Sequence, residues 1–371
     1  MISVERRVAG LPAPARLAVA AAGGAVLALS QPPVSAPVVL FLVLPPLAWL
    51  LDATAGARGA FGVGWAAGAG FFGAALFWIV DPFLVQPEIF GWMAPFAVTG
   101  MAGGLALFWA VPFALARVLR PAGLPRLLAL AALWALSDYA RGHVLTGFPW
   151  ALPAYAWVGT PVIQVAALTG PFLLGLLTLV AGLLPALASW RAVAVAAAMV
   201  AAGWGFGAWR LAQPLPVRAE PLVVRLVQPN AVQAEKWLPG KEQEFWDRHI
   251  ALTRAPADPR PDVVIWSETA APFALGTRPD LQAEAAAAAQ PGRLVTGVVR
   301  VEPGEGGERY FNSLAVLDAD GNAVAVYDKH HLVPFGEYVP FGGLVARLGL
   351  PALETLTRGG FSPGPGPHLV A

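Results

Sequence analysis

The 371-residue chain contains no cysteine. That excludes disulfides, thiolate metal sites and, within these residues, a thiol nucleophile. Charge is scarce too: Asp, Glu, Lys and Arg make up 13%, against about 25% in an ordinary soluble domain. The net charge is +1 and no basic block occurs, which excludes nucleic acid as a partner. Lysine is down to three residues, Lys236, Lys241 and Lys329, and histidine to five. What replaces them is apolar. Hydrophobic residues reach 57% and mean hydropathy is +0.61, which excludes disorder and a plain cytosolic enzyme.

The few charges are unevenly spread. Residues 1–209 carry nine Arg and five Asp or Glu, 14 in 209 positions; residues 210–371 carry the other 33 of 47. The first part has a membrane composition and the second a soluble one. The apolar runs end at WRLAQPLPV, 209–217, so the expected domains are 1–212 and 213–371. A spanning helix takes about 20 apolar residues. Seven runs approach that length: two helices in Leu17–Leu51 around Ser30-Gln31-Pro32-Pro33, then Gly59–Val80, Ile89–Ala116, a short Leu127–Ser137, Pro161–Ser189 and Ala192–Trp209. No buried polar residue is expected within them, which weakens a transport reading. With the N-terminus inside, the inner segments hold Arg6, Arg7, Arg16, Arg58, Arg117, Arg120, Arg126 and Arg191, and the outer loops hold Arg141 alone. That asymmetry places residues 210–371 outside. Residues 6–30 also have the pattern of a signal peptide, whose removal would leave the second domain on the same side. The outer GFPW stretch, 147–150, reads either as an interfacial aromatic belt or as a lipid-facing wall near a site.

In the second domain the patterns predict strands at Pro221–Gln228, Asp262–Trp266, Arg293–Val301, Phe311–Leu317 and Ala323–Tyr327. Helices are expected at Gly240–Thr253 and Pro279–Ala289, a polar loop at Glu302–Arg309, and a tight turn at Asp320-Gly321-Asn322. That order argues a layered α/β domain. Glu268 follows directly on an apolar strand, where open sheets bind ligands. It reads as a general base among apolar neighbours such as Trp266 and Phe273, or as an exposed loop acid or helix-start acid. Lys329 closes a strand in an aromatic stretch and reads as an oxyanion stabiliser or a hairpin-end charge. Glu337 lies eight residues on, in a Pro/Gly loop able to return it to Lys329. His330 and His331 are neighbours on a strand and point to opposite faces, so no metal site is expected.

The runs LVQPNAVQAEKW (226–237), WSETAAP (266–272), FNS (311–313) and YDKHHLVPFGEYVPF (327–341), with SQPP, FFGAALFWIV and TGFPW in the membrane half, resemble the apolipoprotein N-acyltransferase family of Gram-negative bacteria. The resemblance covers essentially the whole chain. It implies a polytopic α-helical membrane domain of eight helices joined to a periplasmic nitrilase-like (carbon–nitrogen hydrolase) αββα sandwich in the inner membrane. It implies a Glu–Lys–Cys triad, with Glu268 as base, Lys329 on the oxyanion and Glu337 as a supporting glutamate. Trp237 resembles a lid tryptophan for the second substrate, and Asn312 an asparagine near the site. The implied donor is the sn-1 acyl chain of a phospholipid and the acceptor the α-amino group of a diacylglyceryl-cysteine apolipoprotein. The bilayer is the only other partner, the protein is a monomer, and neither cofactor nor metal is required.

The chain departs from the family in lacking the nucleophile. The expectation is that the cysteine, the remaining strands and the last helix belong beyond Ala371, and that the chain as given is inactive. Ser362, in FSPGPGP, has no adjacent base and is not expected to substitute. Two rivals stay open: a membrane-tethered nitrilase-like amidase, and a non-catalytic membrane scaffold.

Overall fold

A computed structural model describes residues 10–369 except 86, 120, 216–219, 232–234, 236–237, 239, 305–306, 335 and 341–359. Trp237, Arg6, Arg7 and Arg120 lie outside the described residues. The chain divides into two compact units, Met1–Leu215 and Pro216–Ala371.

The first unit is helical: α1 (Ala13–Leu27), α2 (Val38–Asp52), α3 (Ala57–Ala75), α4 (Ala94–Leu105), α5 (Leu107–Leu119), α6 (Leu124–Arg141), α7 (Ala166–Leu183) and α8 (Trp190–Leu211). Small residues set its packing. A Cβ on Gly24 would lie 1.9 Å from the Ala67 carbonyl oxygen, and one on Gly70 2.0 Å from that of Ala21. Only glycine lets α1 and α3 approach this closely, which is how helices gain contact where lipid removes the hydrophobic drive. Leu40, Leu44, Leu47, Leu50 and Leu51 of α2 are almost completely buried, and the rings of Phe71, Phe72, Trp109 and Trp134 pack against one another. The outer faces stay apolar, with Leu42, Val118, Leu168 and Trp190 exposed, as a bilayer-facing surface requires.

Of the seven expected crossings, four are long and apolar enough among the described residues: Ala13–Ser30, Pro87–Leu119, Pro161–Leu187 and Trp190–Leu211. A fifth, Ala57–Ala75 with Phe77–Leu84, is bent by 51°. The other two differ for physical reasons. Helix α2 has only 15 residues, and α6 takes in Arg126, Asp138 and Arg141. The expectation of no buried polar residue in the runs is corrected as well. Thr178 of α7 is buried, where it accepts the Trp157 indole N–H at 2.8 Å and donates to the Leu174 carbonyl.

The second unit is built on one sheet, β1 (Val224–Val227), β2 (Val263–Trp266), β3 (Arg293–Gly304), β4 (Gly307–Leu317) and β5 (Ala323–Asp328), in that order. Strands β1, β2 and β3 run parallel, whereas β3, β4 and β5 are antiparallel. Helices α9 (Lys241–Arg254) and α10 (Pro279–Ala289) supply Trp246, Ile250, Ala285 and Ala286 to a core shared with Val264, Trp266, Leu294 and Val298. The strands β3 and β4 extend into the region expected as a loop. Glu302 pairs there with Arg309 across the ladder, and the two form a 3.2 Å ion pair, an opposite-charge cross-strand contact that favours continuation.

Candidate active site

Three strands and one loop deliver four side chains to one point. Glu268 stands two residues beyond β2, Asn312 lies in β4, Lys329 directly follows β5, and Glu337 sits in the turn after Val333. The Lys329 ammonium donates to Glu268 Oε1 at 3.1 Å and to Glu337 Oε1 at 2.9 Å. Asn312 Nδ2 donates to the same two oxygens, at 2.7 Å for Glu337. Two like charges that would repel are thus bridged by one cation and one amide.

The backbone fixes this arrangement. Lys329 N–H donates to the Asn312 carbonyl, extending the β4–β5 ladder by one residue. Glu337 closes its own turn: its N–H donates to the Val333 carbonyl, and the Val333 N–H donates to Glu337 Oε2, both at 2.8 Å. Gly297 of β3 lies under Glu268, where a Cβ would sit 2.5 Å from Ser267 O and Thr269 N and 2.7 Å from Glu268 Cα. Thr269 takes a positive φ of 46°, a conformation that sites tend to hold under tertiary constraint.

The two glutamates differ in environment. The Glu337 side chain is 11% exposed and the Glu268 side chain 62%. Burial alone would raise the Glu337 pKa, but the bonds from Lys329, Val333 and Asn312 outweigh it and hold the carboxyl below its ordinary value. For Lys329, burial acts to lower the pKa, and the bonds to Glu337 and Glu268 outweigh it, so the ammonium is held above its ordinary value. The result is an ionised, donor-saturated Glu337, a fixed cation, and an accessible carboxylate on Glu268. Ser267 and Thr269, on either side of Glu268, line a cavity of about 130 Å³ with Gln228, Glu242, Phe245 and His249.

A second cluster escaped the sequence reading. Asp328 accepts Arg300 Nε at 3.0 Å and Arg300 Nη2 at 2.7 Å, and Ser313 Oγ donates to it at 2.6 Å. Asp328 and Ser313 are adjacent in sequence to Lys329 and Asn312, and alternation puts them on the opposite sheet face. Burial raises the Asp328 pKa less than Arg300 and Ser313 lower it. The signal available in the sequence was the alternation in FNS and YDK. His330 Nδ1 lies 2.8 Å from the Tyr327 hydroxyl. No group of three or more metal-ligating side chains occurs among the described residues. Ser362 is held by its N–H, which donates to the Tyr310 carbonyl.

Comparison with known proteins covers both units. Residues 23–184 match the apolipoprotein N-acyltransferase N-terminal domain, and residues 224–363 match the carbon-nitrogen hydrolase family. An apolipoprotein N-acyltransferase of Allorhizobium ampelinum is 38% identical over 376 residues, 96% of this chain and 71% of that protein. One from Brucella suis is 39% identical over 372 residues, covering 94% and 70%. One from Caulobacter vibrioides is 39% identical over 379 residues, covering 94% and 69%.

Proposed function

The chain belongs to the apolipoprotein N-acyltransferase family, and from that premise we propose that Glu268, Lys329 and Glu337 are the acid–base and electrostatic parts of its acyl-transfer site. The family assigns the reaction class, N-acylation of lipoproteins at a membrane. The residue roles are our reading, and one observation carries it: a single ammonium within 3.1 Å of two carboxylates of contrasting exposure.

Glu268 is the general base. Its exposed carboxylate can take the proton of an incoming thiol and later of an incoming amine. Lys329, held charged, stabilises the negative oxygen of each tetrahedral intermediate. Glu337 and Asn312 orient Lys329 and Glu268. In the first half-reaction a thiolate attacks the sn-1 ester carbonyl of a phospholipid, a thioester forms, and lysophospholipid leaves. In the second, the α-amino group of a diacylglyceryl-cysteine apolipoprotein attacks the thioester and releases the thiol. The thiol is absent from these 371 residues, so they supply the base and the cation but not the nucleophile. Trp237 is proposed to meet the second substrate.

We assign residues 1–212 to the membrane domain and 213–371 to a catalytic domain on the periplasmic side of the inner membrane, in a monomeric protein. The basic residues of the helical part support that orientation. A reporter active only in the periplasm, fused after Gln213, should be active; a silent one with an active cytoplasmic counterpart would overturn it.

The residue roles are tested by fusing the chain to the cysteine-bearing segment of a relative and supplying labelled phospholipid and a diacylated lipopeptide. The fusion should form a hydroxylamine-sensitive acyl-enzyme and transfer the acyl chain. Glu268→Gln should abolish both with the protein still folded. Full activity in that variant would refute the assignment.

A further inference from the structure

The ends of four helices meet at the turn that follows α2. Arg16, in the first turn of α1, donates through Nη1 to the Ala53 carbonyl and through Nε to that of Leu11. Arg117, in the last turn of α5, donates through Nε and Nη2 to the Thr54 carbonyl at 3.0 and 2.9 Å. Arg126, in the first turn of α6, pairs with Asp52. Thr54 is buried and donates to the Leu51 carbonyl.

Part of this is helix capping. A helix leaves its last carbonyls unpaired and carries about half a negative charge at its C-terminus. Three guanidiniums exceed that need. Among the described residues, Asp52 is the one carboxylate in ion-pair contact with any of them, and the bonds of Arg16 and Arg117 go to carbonyl oxygens. Three positive charges against one carboxylate and half a dipole leave a surplus of about 1.5 charges. Arg16 and Arg117 are half-buried and Arg126 is buried. The buried Arg126 has Asp52 as its counter-charge, whereas, among the described residues, Arg16 and Arg117 have carbonyl partners only and stay partly open, so the surplus positive charge stands where an anion from outside can reach it.

The surroundings say which anion. Leu17 and Val118, next to Arg16 and Arg117, are exposed apolar side chains, so a ligand meeting the guanidiniums also meets hydrocarbon-facing surface. The bonds described leave Nη2 of Arg16 and Nη1 of Arg117 directed to no carbonyl, and guanidinium N–H groups match phosphate oxygens. Basic pockets between helix ends recognise anionic headgroups by this chemistry. We propose that the α2 turn and the arginines around it bind the phosphate of an anionic phospholipid. This rests on residues of the helical unit alone and is independent of the roles given to Glu268 and Lys329.

The test uses the full chain purified in a zwitterionic detergent and mass spectrometry under non-denaturing conditions. Phosphatidylglycerol and phosphatidylcholine are supplied at equal concentration. Phosphatidylglycerol should be retained at least about tenfold better, since it brings a net negative charge to the guanidiniums, whereas the choline cation of phosphatidylcholine offsets its phosphate. The variant R16Q/R117Q should bring the ratio near one, whereas Arg191→Gln, an exposed arginine at the start of α8, should leave it unchanged. Equal retention of both lipids by the parent chain, or a preference that survives R16Q/R117Q, would overturn the proposal. Displacement of phosphatidylglycerol by millimolar inorganic phosphate would assign the site to a free anion and overturn the lipid reading. Should R16Q/R117Q fail to fold, hydrogen exchange of the parent chain in bilayer discs decides. Amides 51–58 should exchange more slowly with phosphatidylglycerol present, and no difference would overturn the proposal.

Discussion

The Asp138–Arg141 pair of the helical unit and the Lys329–Glu337 pair of the sheet unit both close at 2.9 Å, and they do opposite work. The first is sealed, with side chains 4% and 1% exposed. Arg141 Nη1 donates to the Phe148 and Trp150 carbonyls at 2.7 Å each, and the guanidinium lies over the Phe72 ring. The two carbonyl bonds hold the GFPW loop against α6. The second is half-open: Lys329 is 31% exposed, and its other partner, Glu268, is 62% exposed. A charge that must react needs access, whereas a charge that must hold a loop needs dryness and saturation. Exposure, and not distance, separates the structural ion pair from the one suited to chemistry.

Breaking the sealed pair should have the largest effect on folding. Arg141→Met leaves the Asp138 carboxylate buried without its cation and two loop carbonyls without a donor. A loss of about 3–5 kcal/mol is expected, read as a fall in thermal midpoint in detergent. Loss of less than about 1 kcal/mol would mean that the pair is less buried than its geometry states. The matching break in the open cluster should spare folding and remove activity. In the cysteine-bearing fusion, Lys329→Met should lower acyl transfer by about 10²–10³-fold, the range for removing one oxyanion donor, with the thermal midpoint nearly unchanged.

The contrast also explains what the sequence disclosed. Glu268, Lys329 and Glu337 were legible because each sits in an apolar or Pro/Gly-rich frame where a charge stands out. The strands were legible from their β-branched runs, and β1 came out shorter than expected, at Val224–Val227. The arginines of the helical unit were legible only as a count. That count gave an orientation, yet Arg16, Arg117 and Arg126 also serve the end of α2, which requires knowing which helix ends meet. Arg141 looked like a loop charge because the apolar run stops at Ser137, whereas α6 continues to Arg141 and takes in its partner Asp138. Asp328 was passed over beside Lys329 for a related reason: its partner Arg300 is 28 residues away, joined to it only through the β3–β4–β5 ladder.

A milder change sharpens the comparison from the backbone side. Gly297→Ala places a methyl group 2.5 Å from Ser267 O and Thr269 N. The backbone there must shift, at a cost of about 1–3 kcal/mol, and Glu268 moves with it. The fusion should lose activity out of proportion to stability. An equally active variant would show that the Glu268 position is not fixed through Gly297.

The smallest effect concerns pH, and it differs in sign for the two members of the open pair. Glu337 is held below its ordinary value, so its contribution is present above the ordinary carboxyl range and is lost as pH falls through the lowered value. Lys329 is held above its ordinary value, so its contribution is present below the ordinary lysine range and is lost as pH rises through the raised value. Between the two ranges stability from this pair should be flat. Each arm is expected to be modest, since a partly exposed pair is worth about 0.2–1 kcal/mol. Lys329→Met removes the cation that holds Glu337 down, so the acid arm should begin at a higher pH and the alkaline arm should vanish. Pulse proteolysis of the full chain in urea, at a series of pH values, reads the stability of the sheet unit directly. An acid arm that starts at the same pH in both proteins would mean that Val333 and Asn312, and not Lys329, keep Glu337 ionised.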